Sequence, residues 1–571
     1  MADRMIYVDM TSQNVELKPF PAKWQTLGGR GLSAKILLDE CNPKCDALGP
    51  ENVLVLAPGV LSGTAAPTSG RISVGCKSPL TGGIKEANSG GQPGQHLVKL
   101  GYRAIVVKGQ PKDASKRYAL EVTAEGAKIV PADEYKGLLN YSLCERLATK
   151  YPKTTSFISI GPAGELRLKG ASVATTDQDN RYPARHAARG GVGAVMGSKG
   201  LKYVAVDPGR ASVVHAAERK KFGELCKDYS QAYLSGPLMF KHGTSSVVPI
   251  ANMLHTFPHK NRVSGQSPDA KTLDGARIVE SFESRGGGMH NCMTGCIVRC
   301  SNIVHGKDGK YVTSALEFET LTLLGSNCAV ASWEDVAELD RLCDELGLDT
   351  IETGSALAVL MDAGQLKWGD AESMKALLRE IPGGSERGKA VGNGVVAAGK
   401  FTGHHRVPHG KGQSLPAWDP RPLKATGVTY CTSPMGADHT AGLIINPGLT
   451  PDKFAYESQK VQIVNAVCDS SGFCQFLQPS LDNIRAFYGA LFGREVSRDE
   501  IHGLGWQTLC DEWEFNKRAG FTAKDDVLAD CLAKDPIGPA NAVFDVAPEI
   551  IAAVYTKMTP GEDMFSAKAS G

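Results

Sequence analysis

The chain has 571 residues, 42% of them apolar and 22% charged, with a formal net charge of only +2. That length suits two to four domains at about 150 residues apiece, and the near-neutral balance excludes a general nucleic-acid binder, which needs a basic surface. No apolar run reaches the roughly 18 residues that span a bilayer, MADRMIYVDM lacks a signal peptide's apolar core, and fifteen irregularly spaced cysteines make no secreted disulfide framework, so a cytoplasmic protein with reduced thiols is expected.

In chain order, the first 209 residues carry short β-branched runs bounded by Gly and Pro: 52–58, 70–76, 103–109, 156–161 and 201–206. These are strand signals. Between them lie glycine-dense loops, ANSGGQPGQ (87–95) and ARGGVGAVMGSK (188–199). From Ala211 the texture turns helical, most clearly in SWEDVAELDRLCDELGLD (332–349). There Ser332 and Asp335 resemble a capping box, Val336, Leu339, Leu342, Cys343 and Leu346 form one apolar stripe, and Gly347 supplies the stop. A Gly-, His- and Pro-rich stretch (399–422) leads to a third region. The expected fold class is α+β: a β-rich N-terminal domain (1–209) followed by two mainly helical domains (210–410 and 411–571).

The stretch HNCMTGCIVRCSN (290–302) spaces Cys292, Cys296 and Cys300 four apart. A helix would put them on one face, but Gly295 interrupts it and three thiols pack poorly. A loop wrapping an inorganic core suits the spacing better. Zinc is the alternative, although structural zinc takes C-x2–4-C pairs and four ligands. An internal echo supplies the missing thiol. DELGLD (344–349) and DSSGFC (469–474) share the form D-x-x-G-apolar-D/C, and each places a carboxylate near a helix C-terminus before a turn-forming glycine. Two such ends suggest two similar halves of one ligand, and Cys474 completes four thiolates for a [4Fe–4S] cluster.

Together with these, GGRGLSAK (28–35), SGRISVGCKSPLTG (69–82), ANSGG (87–91), ARGGVGAVMGSK (188–199), LEFET (316–320) and GADHTAG (436–442) run in order along nearly the whole chain. In this the chain resembles the tungsten-containing aldehyde:ferredoxin oxidoreductase family. The resemblance implies tungsten, or molybdenum, held by two pterin dithiolenes above the β-rich domain, with the cluster beside one pterin and Mg2+ bridging the pterin phosphates. It implies carbonyl ligands to Mg2+ from Asn88 and from Ala187 or Ala188. Arg189, Gly190 and Gly191 would approach the phosphates, as glycine-rich backbone can. Arg71 would lie between cluster and pterin. Asp344, Asp349 and Asp469 would accept from pterin N–H groups, within the turns that also hold Gly347, Leu348, Gly472 and Phe473. His439 would polarise an aldehyde carbonyl and Glu319 would take a proton from attacking water; its motif position favours it over Glu317. One departure is C-x3-C-x3-C, where many family members have C-x2-C-x3-C; Gly295 sits where the extra residue needs a bend.

Without the resemblance, His439 is an ordinary loop histidine and Glu319 an ordinary acid. Cys41 and Cys45 read as incidental thiols, Cys468 as a buried small hydrophobe, and His404, His405 and His409 as solvent-exposed. The implied function is aldehyde oxidation, with electrons passing to ferredoxin or to dedicated iron–sulfur or flavin subunits, in a homodimer or a larger complex. The runner-up is the active-site subunit of a reductive complex of the same superfamily, such as an aromatic acyl-CoA reductase. A pterin-free iron–sulfur subunit is disfavoured by the doubled aspartate motif.

Overall fold

The computed structural model describes residues 3–178, 180–236 and 240–558, so the last thirteen positions of the third expected domain lie outside the described residues.

Two six-stranded sheets form the N-terminal part. The first contains β1 (Arg4–Asp9), β2 (Asn14–Pro19), β3 (Leu54–Pro58), β4 (Ile72–Lys77), β5 (Ile84–Ser89) and β6 (Tyr102–Lys108). The second contains β7 (Tyr118–Thr123), β8 (Gly126–Pro131), β9 (Ser156–Ser159), β10 (Val173–Thr175), β11 (Arg185–Ala187) and β12 (Leu201–Val206). Their orders are β2-β1-β6-β3-β4-β5 and β8-β7-β12-β9-β10-β11. Every pairing has the same sense in both: β1 with β6 and β7 with β12 run parallel, and all the others antiparallel. The connecting helices also correspond, Gly29–Glu40 with Asn140–Lys150 and Pro93–Lys99 with Val192–Ser198. The base is therefore one β-β-α-β-β-β-α-β unit used twice.

Its strands form where the β-branched runs predict them. β3 and β4 are buried along their whole length, as central strands covered on both faces require, whereas the edge hairpin strand β2 alternates with solvent.

The rest is mainly helical. The helix Trp333–Leu346 begins where Ser332 accepts from the Asp335 N–H and ends at Gly347, whose φ is 73°. The expected capping box is only half made. The Asp335 carboxylate instead takes Lys375 Nζ at 2.8 Å, a charge-assisted bond that outcompetes a neutral N–H. Texture also misses a three-stranded sheet in this region, Gly288–His290, Ser301–His305 and Tyr311–Ser314. Strands of three to five residues leave too little alternation to read. Among the described residues no helix is long and apolar enough to cross a membrane.

Candidate redox site between base and helical regions

The first two strands of that small sheet pair antiparallel, with His290 opposite Ser301. Residues 291–300 are thus the loop of a hairpin, and the cysteines project from a loop rather than a helix. Gly295 takes φ +78°, with nothing within 4 Å of a Cβ there, and supplies the bend that the extra residue needs. Thr68 ties the loop down, donating its N–H to the Gly295 carbonyl at 2.9 Å and accepting from the Ile297 N–H at 3.0 Å. Thr68 also accepts from the Cys474 N–H at 3.0 Å through its carbonyl, so one residue joins both parts of the cysteine set.

Cys296, Cys300 and Cys474 are buried among Met293, Val298, Phe240 and Phe473, while Cys292 is partly open. Contact with Cys292, outweighing burial, lowers the Cys296 thiol to about 6 and raises Cys292. Burial pushes Cys474 up and Arg71 opposes it, with Arg71 Nη1 3.9 Å from its Sγ. Cys468 is buried near the set but outside its loop.

The two D-x-x-G ends meet the two halves of the base at equivalent places. After β3, Gly59 packs so closely on Gly472 that a Cβ would lie 2.2 Å from its Cα; after β9, a Cβ on Gly161 would lie 2.3 Å from the Leu346 carbonyl oxygen. Arg71, preceding β4, donates its N–H to the Gly472 carbonyl at 3.3 Å, and Ser172, preceding β10, donates to Gly347 at 2.9 Å. Leu348 bridges to Ala171. Phe473 is buried against Phe487.

Around Asp469, Oδ1 accepts from Asn88 Nδ2 at 2.8 Å and Gln475 Nε2 at 3.3 Å, and Arg30 Nη1 lies 3.6 Å from Oδ2. Asn88 Oδ1 also accepts from Arg71 Nε. Around Asp344, the partners are His186 Nε2 at 3.1 Å and the Tyr141 hydroxyl at 3.3 Å. Asp349 does not sit in this first ring of contacts alone. It caps the helix Thr350–Asp362 by accepting from Ile351 N–H at 2.9 Å, with Arg189 Nε 3.5 Å away.

Arg189 is buried and donates to the Ala437 and Ser414 carbonyls, each at 2.6 Å. It is preceded by Ala187 at the end of β11 and by Ala188, and followed by Gly190 and Gly191. ANSGG and AARGG (187–191) lie at the ends of the equivalent strands β5 and β11, an A-x-x-G-G match with a spacing of 187 − 87 = 100. That repeat was the available sequence signal for the duplication.

Glu317 and Glu319 part company. Glu317, the residue before the short helix Phe318–Thr320, accepts from the Thr244 hydroxyl. Burial raises it, against Arg185 and Arg71. Glu319 Oε2 accepts from the Ala417 N–H at 2.6 Å. His439 opens the turn His439–Ala441, with Nδ1 3.6 Å from Asp438 Oδ1. Buried Arg189 and Tyr430 each interact electrostatically with both Glu319 and Asp438. His404 is not free in solvent but pairs with Asp362 at 2.8 Å.

Several buried polar atoms here lack a hydrogen-bond partner: Asp469 Oδ2, Glu319 Oε1, Gln413 Oε1 and His439 Nδ1. Buried polar atoms are otherwise almost always paired. Asp469 Oδ2 at one helix end, and Glu319 Oε1, Gln413 Oε1 and His439 Nδ1 from the helical region, are therefore open to a polar ligand.

Four cysteines thus lie beside two matched polar cradles. Residues 5–208 match the family description "Aldehyde ferredoxin oxidoreductase, N-terminal domain", and residues 224–558 match "Aldehyde ferredoxin oxidoreductase, domains 2 & 3". The chain belongs to the aldehyde ferredoxin oxidoreductase family. It is 31% identical over 577 residues to a tungsten-containing aldehyde ferredoxin oxidoreductase of Pyrococcus furiosus, covering 94% of this chain and 92% of that one. The same identity and coverage hold for the protein of that name from Thermococcus kodakarensis, over 576 residues. A WOR-like subunit of an aliphatic sulfonate oxidoreductase from Pyrococcus furiosus is 27% identical, over 87% of this chain and 83% of that one. Among solved structures, the active site complex BamBC of benzoyl coenzyme A reductase shares the fold with a TM-score of 0.80 at 20% identity, covering 96% of this chain and 92% of that one.

Proposed function

We propose that the protein is a tungsten (or molybdenum) bis-pterin oxidoreductase that oxidises aldehydes to carboxylic acids. Electrons leave through a [4Fe–4S] cluster to ferredoxin or to a dedicated iron–sulfur or flavin subunit, and the chain works as a homodimer or within a larger complex. The observation that carries this reading is the seating of two D-x-x-G helix ends at equivalent places on a duplicated base. Two like cofactor halves need such a doubled cradle. The relatives named as tungsten-containing aldehyde oxidoreductases support it.

The residues divide the work as follows. Cys292, Cys296, Cys300 and Cys474 would hold the cluster. Asp344, Asp349 and Asp469 would accept from pterin N–H edges, in pockets shaped by the turns with Gly347, Leu348, Gly472 and Phe473. Carbonyls of Asn88 and of Ala187 or Ala188 would serve Mg2+ as hard oxygen ligands. Arg189, Gly190 and Gly191 would line the phosphates. When bound, the metal–pterin group would supply a two-electron redox centre and the cluster a one-electron carrier. His439 donates a hydrogen bond to the aldehyde oxygen, and the free Oε1 of Glu319 takes the proton of the water that adds to the carbonyl carbon. Overall, aldehyde and water become carboxylic acid, two protons and two electrons.

The test is anaerobic assay of the purified protein with a panel of aldehydes and a viologen acceptor. Viologen reduction that depends on aldehyde is expected. A metal-loaded protein that ignores every aldehyde but reduces an aromatic acyl-CoA with a low-potential donor would replace this reading with the reductive one.

A further inference from the structure

Asp438 is buried to 1% exposure, and Lys85 Nζ, itself fully buried, stands 2.5 Å from its Oδ2. Gln413 Nε2 donates to the same oxygen at 3.4 Å, and Arg189 Nη1 lies 3.8 Å from Oδ1. Lys85 is on β5 and Arg189 follows β11, so the two halves of the duplicated base each send one cation to the same carboxylate. The Lys85 stem crosses Gly190: a Cβ there would lie 2.5 Å from Lys85 Cγ. Burial alone would raise the Asp438 carboxyl, but Lys85 first and then Arg189 hold it well below the usual carboxylate range. Its Oδ1 caps the turn that begins at His439, accepting from the Thr440 N–H at 3.1 Å and hydroxyl at 2.9 Å.

We propose that Lys85 is a positioning residue: by fixing the Asp438 carboxylate it sets the turn that presents His439, so the cofactor base itself aims the histidine. The effect on rate rests on the reading of His439 given above; the placement of the histidine does not. A buried cation and anion left without each other destabilise a chain, so the informative change is the paired Lys85→Met/Asp438→Asn, which removes both charges together and keeps a side chain able to accept from Thr440.

Three readouts on holoenzyme with native iron and group 6 metal content decide the matter. In protein labelled with 15N at histidine, His439 should show one fixed ring pattern natively and an averaged one in the paired variant. The paired change should lower kcat for aldehydes on the order of 10²-fold, as misplacement of an acting group does, with KM little altered. In a His439→Gln background the same paired change should cost almost nothing. An unchanged His439 resonance, or an equal loss of kcat in both backgrounds, overturns the positioning role. A His439→Gln enzyme at full rate instead sinks the role of the histidine, and the resonance still decides what Lys85 does.

Discussion

One arginine joins the cysteine set to the first glycine loop: Arg71 Nη1 lies 3.9 Å from the Cys474 thiol while Nη2 donates to the Asn88 carbonyl at 3.2 Å. A buried cation beside a thiolate ligand stabilises the reduced, more negative cluster. Arg71→Met should therefore move the cluster midpoint downward in an EPR-monitored redox titration, with iron content unchanged. An unaltered midpoint would remove Arg71 from the electron path.

The cysteine assignment separates two thiols six positions apart. Cys474→Ala should strip or cripple the cluster, because three thiolates leave one iron open to exchange. Cys468→Ala removes a small buried side chain that is 2% exposed and should cost stability on the order of 1 kcal/mol, leaving the iron spectrum intact. The reverse outcome would reassign the ligand.

Glu319→Gln should keep iron and tungsten yet lose about 10²- to 10⁴-fold in aldehyde turnover, the usual effect of removing one acid–base group. Glu317→Gln should change turnover much less, since the Glu317 carboxylate is already engaged by the Thr244 hydroxyl. Rates and metal content for both variants are the measurement. A fully active Glu319→Gln beside a dead Glu317→Gln would move the base by two residues.

Much of this was legible in the sequence, and the exceptions have a physical reason. The β-branched runs at 52–58, 70–76, 103–109, 156–161 and 201–206 overlap the strands 54–58, 72–77, 102–108, 156–159 and 201–206 because the side-chain period is local. The helix ends at Gly347 and Gly472 were equally readable, from glycines whose φ is 73° and 89°. The duplication of the base leaves little sequence likeness beyond short matches such as A-x-x-G-G, since a strand's burial pattern can be met by many residues. Lys85 and Asp438 were beyond reach: they meet across 353 positions, and a buried lysine looks in sequence like any surface one. His186 beside Asp344 was hidden for the same reason, a contact made by β11 with a helix 158 positions on, 344 − 186.

Acid titration should also mark the base. Burial, then the neighbouring Asp469, pushes Glu86 up to about 8, and burial pushes Asp469 up to about 6 against Arg30 and Arg71. Both lie above the unfolded carboxylate values of about 4. The folded chain thus holds protons that the unfolded chain has released, and this contribution falls as pH rises from about 4 through about 8. In cofactor-free protein, urea midpoints between about pH 5 and about pH 8 should fall more steeply for the native chain than for Glu86→Gln. Parallel curves would show that Glu86 is not held protonated.

The central claim is that two D-x-x-G helix ends and four thiolates hold a bis-pterin metal centre and a cubane cluster in one chain. Metal analysis of anaerobically prepared protein tests it most directly. The account predicts about four iron atoms and one tungsten or molybdenum per chain. Iron without any group 6 metal would contradict it and leave only an electron-transfer protein.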